Sequence, residues 1–152
     1  MPVIVIGADT DLGREVVAAL LPRAAEMRAF VTDPAAAATL KERGVKVALG
    51  DVSDASHVGA ACRNAFCAVL IAAAAGDGRE RAFAADPDAV VAAWTDALRD
   101  AGVTRAIWVR TEADPAPGAG RGPEEEAVVA ASGRAPVEVA AEVADLEAAR
   151  RI

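Results

Sequence analysis

The sequence predicts a doubly wound α/β fold: a parallel sheet covered by helices on both faces, three layers (αβα) in a single domain over residues 1–152. Two observations carry this reading. Short apolar runs alternate along the chain with longer stretches of helical spacing, which implies right-handed crossovers between parallel strands. The opening unit, "PVIVIGADTDLGREVVAALL", is a strand, a tight glycine turn and a helix in immediate succession. Such a turn presents its N–H groups, and the positive end of the helix behind it, to an anion.

Val3 to Ile6 is a continuous apolar run, as expected of a strand buried on both faces, and Leu12 to Leu21 repeats at helical spacing. "MRAFVT" is the second strand. Asp33-Pro34 opens the second helix, with a capping residue followed by a proline at the first helical position, and Gly44 ends it. "VKVALGD" is the third strand, Ser53 or Asp54 caps the third helix, and "AVLIAAAA" is the fourth strand. Asp86-Pro87 repeats the start signal for the helix "DAVVAAWTDALRDAG", which runs to Gly102, and "RAIWVR" is the fifth strand. "TEADPAPGAGRG" is rich in Gly and Pro and predicts a flexible loop over residues 112–123. Pro123 is then expected to open a helix, with Glu124, Glu125 and Glu126 in a first turn where negative charge complements the dipole. "PVEVA" is expected as the sixth strand and "EVADLEAARRI" as a terminal helix.

Composition narrows the function. A chain of 152 residues buries a substantial core without staples, and with 54% hydrophobic but only 3% aromatic residues that core is aliphatic. The formal charge of −7 argues against a nucleic-acid backbone as partner. No apolar run is long enough to span a bilayer, and the first apolar segment lacks the basic flank of a signal peptide, so no membrane partner and a cytoplasmic location are expected. Cys62 and Cys67 are five apart and His57 is the single histidine, so a thiolate or imidazole metal site is not expected. The two cysteines read as buried free thiols, and His57 as a surface or capping residue near Asp54. Trp94 and Trp108 read as core or interface residues.

The first turn supplies the candidate site. Gly7 stands where the chain must turn sharply and Gly13 where the helix packs close to the strand. Asp9, Thr10 and Asp11 replace the usual small residues, and Leu12 completes the set expected beside a cofactor. A side chain at Thr10 or Asp11 takes space that a middle glycine leaves for a pyrophosphate, and the two carboxylates weaken its binding. Asp9 or Thr10 alternatively caps the helix. Arg14, Arg79, Arg81, Arg110 and Arg121 all fall at or after the carboxyl ends of strands, either as a source of positive potential for this turn or as solvated charges.

Through "GADTDLGREVVAALL", "MRAFVTDPAAAATLKERGVKVALGDVSDASHVGAACRNAFCAVLIAA" and "VVAAWTDALRDAGVTRAIWVRT", residues 1–111 resemble the short-chain dehydrogenase/reductase superfamily, in particular its atypical NmrA-like branch. The resemblance implies a Rossmann-type sheet with NAD or NADP as cofactor, which the carboxylates of the first turn are expected to hold weakly; no metal is expected from the Cys and His inventory. It implies that Asp51 and Val52 lie against the adenine and that Ala72 and Ala73, ending the fourth strand, line the cofactor. NADP-preferring relatives carry an arginine just after the second strand; Thr32 stands there, and Asp33 follows where an acidic residue would meet the ribose of NAD or simply cap a helix. Cofactor preference is left open, tilted away from NADP. The resemblance also implies a homodimer through the fourth and fifth helices.

Catalysis departs from the superfamily. Its enzymes use a tyrosine as general acid/base with a lysine beside it, whereas this chain has no tyrosine, and Lys41 and Lys46 lie far along the sequence from the expected position. Thr111 stands near the place of a catalytic serine, without an evident partner base, and Arg121 is the cation nearest the lysine's expected place, one that does not give up its proton. Relatives also carry C-terminal segments that build a substrate pocket, for which little sequence follows here. Three readings result: an NAD(P)-binding domain without the Tyr/Lys apparatus that serves as a nucleotide or redox sensor or binding subunit; a scaffold that keeps the fold without the nucleotide; and an oxidoreductase working without tyrosine.

Overall fold

The computed structural model describes residues 1–118 and 122–152. Strands β1 (Pro2–Ile6), β2 (Glu26–Val31), β3 (Lys46–Leu49), β4 (Cys67–Ile71), β5 (Arg105–Arg110) and β6 (Glu125–Ala130) form one sheet in the order β3-β2-β1-β4-β5-β6. Every neighbouring pair is parallel. The chain starts in the middle of the sheet, steps outward to β3, and crosses back to β4. Strand order therefore reverses between β1 and β4, and a crevice opens there at the carboxyl ends.

Alternate residues of the central strands feed two cores. Val3, Val5, Val69 and Ile71 face α1 (Asp11–Leu20), α2 (Pro34–Glu42) and α5 (Pro136–Ala148). Ile4, Ile6, Ala68 and Leu70 face α3 (Ala55–Cys62) and α4 (Pro87–Ala101). Helix starts follow the sequence signals: the carboxylates of Asp33, Asp54 and Asp86 accept from the N–H groups of Ala35, His57 and Asp88. Asp54, not Ser53, caps α3. Trp94 stacks on Trp108 with ring centroids 6.5 Å apart, and its indole N–H donates to the Val52 carbonyl at 2.7 Å. Both cysteines are free and buried, and burial pushes each thiol up to about 12. No helix among the described residues is long and apolar enough to cross a membrane.

Three expectations are corrected. The helix expected after Pro123 is strand β6, and "PVEVA" opens α5 instead of forming a strand. Along β6 the side chains alternate: Glu125, Ala127 and Val129 turn inward and Glu126, Val128 and Ala130 face solvent, the period of an edge strand. Pairing with β5 outweighs the helix-start charges, and Pro136 sits at the first position of α5. Second, the fifth helix of the described residues begins at Pro136 and not at Pro123, and it covers the sheet face opposite α4. Third, β4 ends at Ile71, and Ala72–Ala75 form a single 3₁₀ turn. Of the Gly/Pro-rich loop, residues 119–121, with Arg121, lie outside the described residues.

Arg105 fastens this C-terminal third. Its side chain is 1% exposed and pairs with Glu125 at 2.6 Å. The same guanidinium donates to the carbonyls of Leu146, Glu147 and Ala149 at 2.7–2.9 Å, satisfying the end of α5, and lies over the Phe66 ring. Arg105→Met is expected to cost about 3–5 kcal/mol, because it strands the Glu125 carboxylate and three carbonyls. Urea denaturation followed by tryptophan fluorescence measures the loss.

Candidate nucleotide site at the carboxyl edge

The site begins where β1 meets its turn. Gly7 has φ +85° and donates its N–H to the Phe30 carbonyl at 3.1 Å; a Cβ there would lie 2.9 Å from that of Ala74. At Gly13 a Cβ would strike the Gly7 carbonyl oxygen and lie 2.8 Å from the Ala8 Cα. Gly13 is thus fixed by the packing of α1 on the end of β1, and Gly7 by its positive φ and the close approach of Ala74. Thr10 is the N-cap of α1: its hydroxyl donates to the Gly7 carbonyl at 2.7 Å and accepts from the Gly13 N–H at 2.9 Å. Capping and turn closure explain a threonine at the middle position.

The N–H groups of Asp11 and Leu12, at the start of α1, take no protein acceptor among the described residues. They suit a phosphate oxygen, so the turn fits a dinucleotide's pyrophosphate even without its middle glycine. The Asp11 carboxylate is exposed and pairs with Arg14, whose guanidinium also donates to the Asp9 carbonyl. Leu12 packs partly buried on the core.

Asp9 does not cap the helix. Its carboxylate, 4% exposed, crosses to the end of β2, where Oδ2 accepts from the N–H groups of Thr32 at 2.8 Å and Asp33 at 3.1 Å. Oδ1 accepts from Arg79 Nη1 at 2.9 Å, and the same nitrogen lies 3.4 Å from the Thr32 hydroxyl. Burial pushes the Asp9 carboxyl up, but the Thr32 N–H, Arg79 and the Asp33 N–H together hold it below the usual carboxylate range. Asp33 itself caps α2.

The segment after β4 is tied across this edge. Arg79 and Arg81 pair with Asp77 at 2.6 and 3.3 Å. Ala82 donates its N–H to Asp51 at 2.7 Å and Phe83 to the Ser53 hydroxyl at 3.0 Å. Asp51 also accepts from the N–H and hydroxyl of Ser53. Val52 is 0% exposed and packs in the core, so it offers no surface to an adenine in this arrangement. His57 lies against Gly50 and edge-on to Phe30.

At the other side of the crevice, Ala72 is buried and Ala73 borders an open cleft of about 560 Å³ with Gly76, Asp86 and Asp114. Thr111 is not an isolated hydroxyl: its Oγ1 and N–H both donate to the Asp114 carboxylate, at 3.1 and 2.8 Å. Arg110 donates to the carbonyls of Asp114 and Pro115. The described arginines near the edge are therefore all committed to carboxylates or carbonyls. Lys46 pairs with Glu26 at the opposite end of the sheet, and Lys41 lies in the last turn of α2, both away from this edge.

Strand order, turn and open helix terminus define a Rossmann-type nucleotide-binding domain. The profile of a family described as NAD(P)H-binding matches residues 7–147, and the chain belongs to that family. Solved structures that share its fold include several reductases and a short-chain dehydrogenase/reductase, in keeping with the resemblance drawn from the sequence. A triphenylmethane reductase from Citrobacter sp. is 25% identical with TM-score 0.60, over 72% of this chain and 37% of that one, and its structure complexed with NADP(H) matches at 24% identity over the same shares. This chain thus spans a little over a third of that reductase. An anaerobillin reductase from Escherichia coli O157:H7 shares the fold at TM-score 0.71 and 18% identity, over 99% of this chain and 92% of its own. No curated protein matches the sequence.

Because Asp9 titrates lower in the fold than the ordinary value near about 3.9, its charged form stabilises the native state above that pH. The contribution fades as pH falls through the lowered value. Asp9→Asn is expected to lose about 1–3 kcal/mol at neutral pH, with the gap to wild type closing in acid. Denaturant midpoints measured across that range test the sign.

Proposed function

We propose that this chain binds a nicotinamide dinucleotide across the carboxyl ends of β1, β2 and β4 and acts as a nucleotide or redox sensor, or as a binding subunit, without a tyrosine–lysine proton relay. The observation that carries the reading is the glycine turn opening onto the Asp11 and Leu12 N–H groups. Membership of an NAD(P)H-binding family supports it. The 152 residues contain no tyrosine and both lysines lie away from the site, so the usual proton donor has no counterpart.

One observation favours a second reading, reduction without tyrosine. Thr111 and Asp114 form a hydroxyl–carboxylate pair beside a cleft whose volume suits a small-molecule acceptor. The neighbour of matching length is itself named a reductase, so a chain of this size is compatible with such chemistry. Here Thr111 would orient an acceptor that takes its proton from solvent.

Titration with NADH, following energy transfer from Trp94 and Trp108 to the nicotinamide, tests the leading reading. Saturable binding is expected, and Asp11→Asn should tighten it about two- to fivefold by removing a charge beside the pyrophosphate. A flat response to NADH and NADPH up to millimolar concentration would leave only a scaffold. For the second reading, Thr111→Ala should abolish acceptor-dependent cofactor oxidation while leaving cofactor affinity unchanged.

A further inference from the structure

In Rossmann-type sites, NAD and NADP are told apart at the end of the second strand, where the adenosine ribose carries either a 2′-hydroxyl or a 2′-phosphate. In this chain that place is built as an anion receptor. The N–H groups of Thr32 and Asp33 and the guanidinium of Arg79 converge on one point, a donor set suited to phosphate. The anion already there is the chain's own: the Asp9 carboxylate, nearly buried and held by all three donors.

We infer that Asp9 is a built-in substitute for the 2′-phosphate and makes this chain selective for NAD(H) over NADP(H). The inference rests on the reading that the chain binds a nicotinamide dinucleotide, and it names which one. A 2′-phosphate would arrive with about two negative charges, meet a buried carboxylate, and find its donors taken. The remaining nitrogens of Arg79 are on Asp77, Arg81 is on Asp77 as well, and Asp33 and Asp51 add negative charge at the ends of β2 and β3. A ribose hydroxyl meets the opposite situation. Oδ1 of Asp9 accepts only from Arg79, and a carboxylate oxygen takes two donors, so a 2′-hydroxyl has an acceptor waiting. The selectivity is a property of this turn and not of the fold, since structural neighbours have been solved with NADP(H) and NADPH.

The test compares wild type with Asp9→Asn, whose amide oxygen still accepts from the β2 terminus but carries no charge. Dissociation constants for NADH and NADPH come from tryptophan energy transfer, and those for AMP and adenosine 2′,5′-bisphosphate from calorimetry, which reads the adenosine half alone. Wild type is expected to bind NADH and AMP at least about tenfold more tightly than their 2′-phosphorylated counterparts. Asp9→Asn should shrink that ratio by about tenfold or more, by gaining affinity for NADPH. Where Asp9→Asn does not fold, Asp9→Ser makes the same comparison, and the wild-type ratio stands as a test on its own. Wild type binding NADPH as tightly as NADH, or a folded variant with an unchanged ratio, overturns the selectivity and leaves dinucleotide binding intact. Binding of neither dinucleotide by any of these proteins overturns both.

Discussion

The carboxyl edge of this molecule is organised by the contact of Gly13 with the Gly7 carbonyl. Because Gly13 carries no side chain, α1 starts directly over the end of β1, and Thr10 closes the turn by bonding to both partners. Everything that follows at the site depends on that short path. It aims the open N–H groups of Asp11 and Leu12 outward, and it brings Asp9 out of the turn at an angle that reaches the end of β2. A wider turn would leave Asp9 in solvent, where it would titrate as an ordinary surface carboxylate.

Charge at this edge is arranged in pairs. Asp9 and Asp77 are matched by Arg79 and Arg81, Asp11 by Arg14, and Asp114 takes the Thr111 hydroxyl and N–H. The network ties four separate segments, the β1 turn, the end of β2, the segment after β4 and the end of β3, into one surface. Its local consequence is that little positive potential is left over to attract an anion from a distance. Binding of a dinucleotide here would be governed by short-range donors, chiefly helix N–H groups, and only weakly by salt.

Much of this was legible in the sequence, and the limits have physical causes. Central strands are buried on both faces, so their apolar runs stand out, and the Asp-Pro starts mark α2 and α4 because local capping chemistry decides them. The region after Pro123 misled because three glutamates look like a helix start when read locally. The strand is decided by distant pairing with β5, and only the two-residue alternation of Glu125, Ala127 and Val129 signals it. The turn glycines and the Thr10 cap were readable for the same local reason as the helix starts. Asp9 with Arg79 was not, since the partners are seventy residues apart and meet only when the sheet forms. Asp114 lies three residues after Thr111 and was within reach of sequence reasoning, as a Thr-x-x-Asp spacing in which the carboxylate reaches back to the threonine N–H and hydroxyl.

The separation of binding from proton handling follows from where each is encoded. Gripping a pyrophosphate uses backbone N–H groups and the absence of side chains at two glycines, and these come with the packing of the first strand–turn–helix unit. Proton transfer needs particular side chains at the ends of later strands. Those are not required by the core, which here is closed chiefly by Trp94, Trp108 and aliphatic residues, with no polar side chain of the site among them. A chain can therefore lose tyrosine altogether and keep a fully packed sheet with its crevice in place. What such a crevice then does is set by the few polar side chains that remain in it; here the nearly buried carboxylate of Asp9 joins the end of β1 to the end of β2, where the ribose of the proposed dinucleotide would lie.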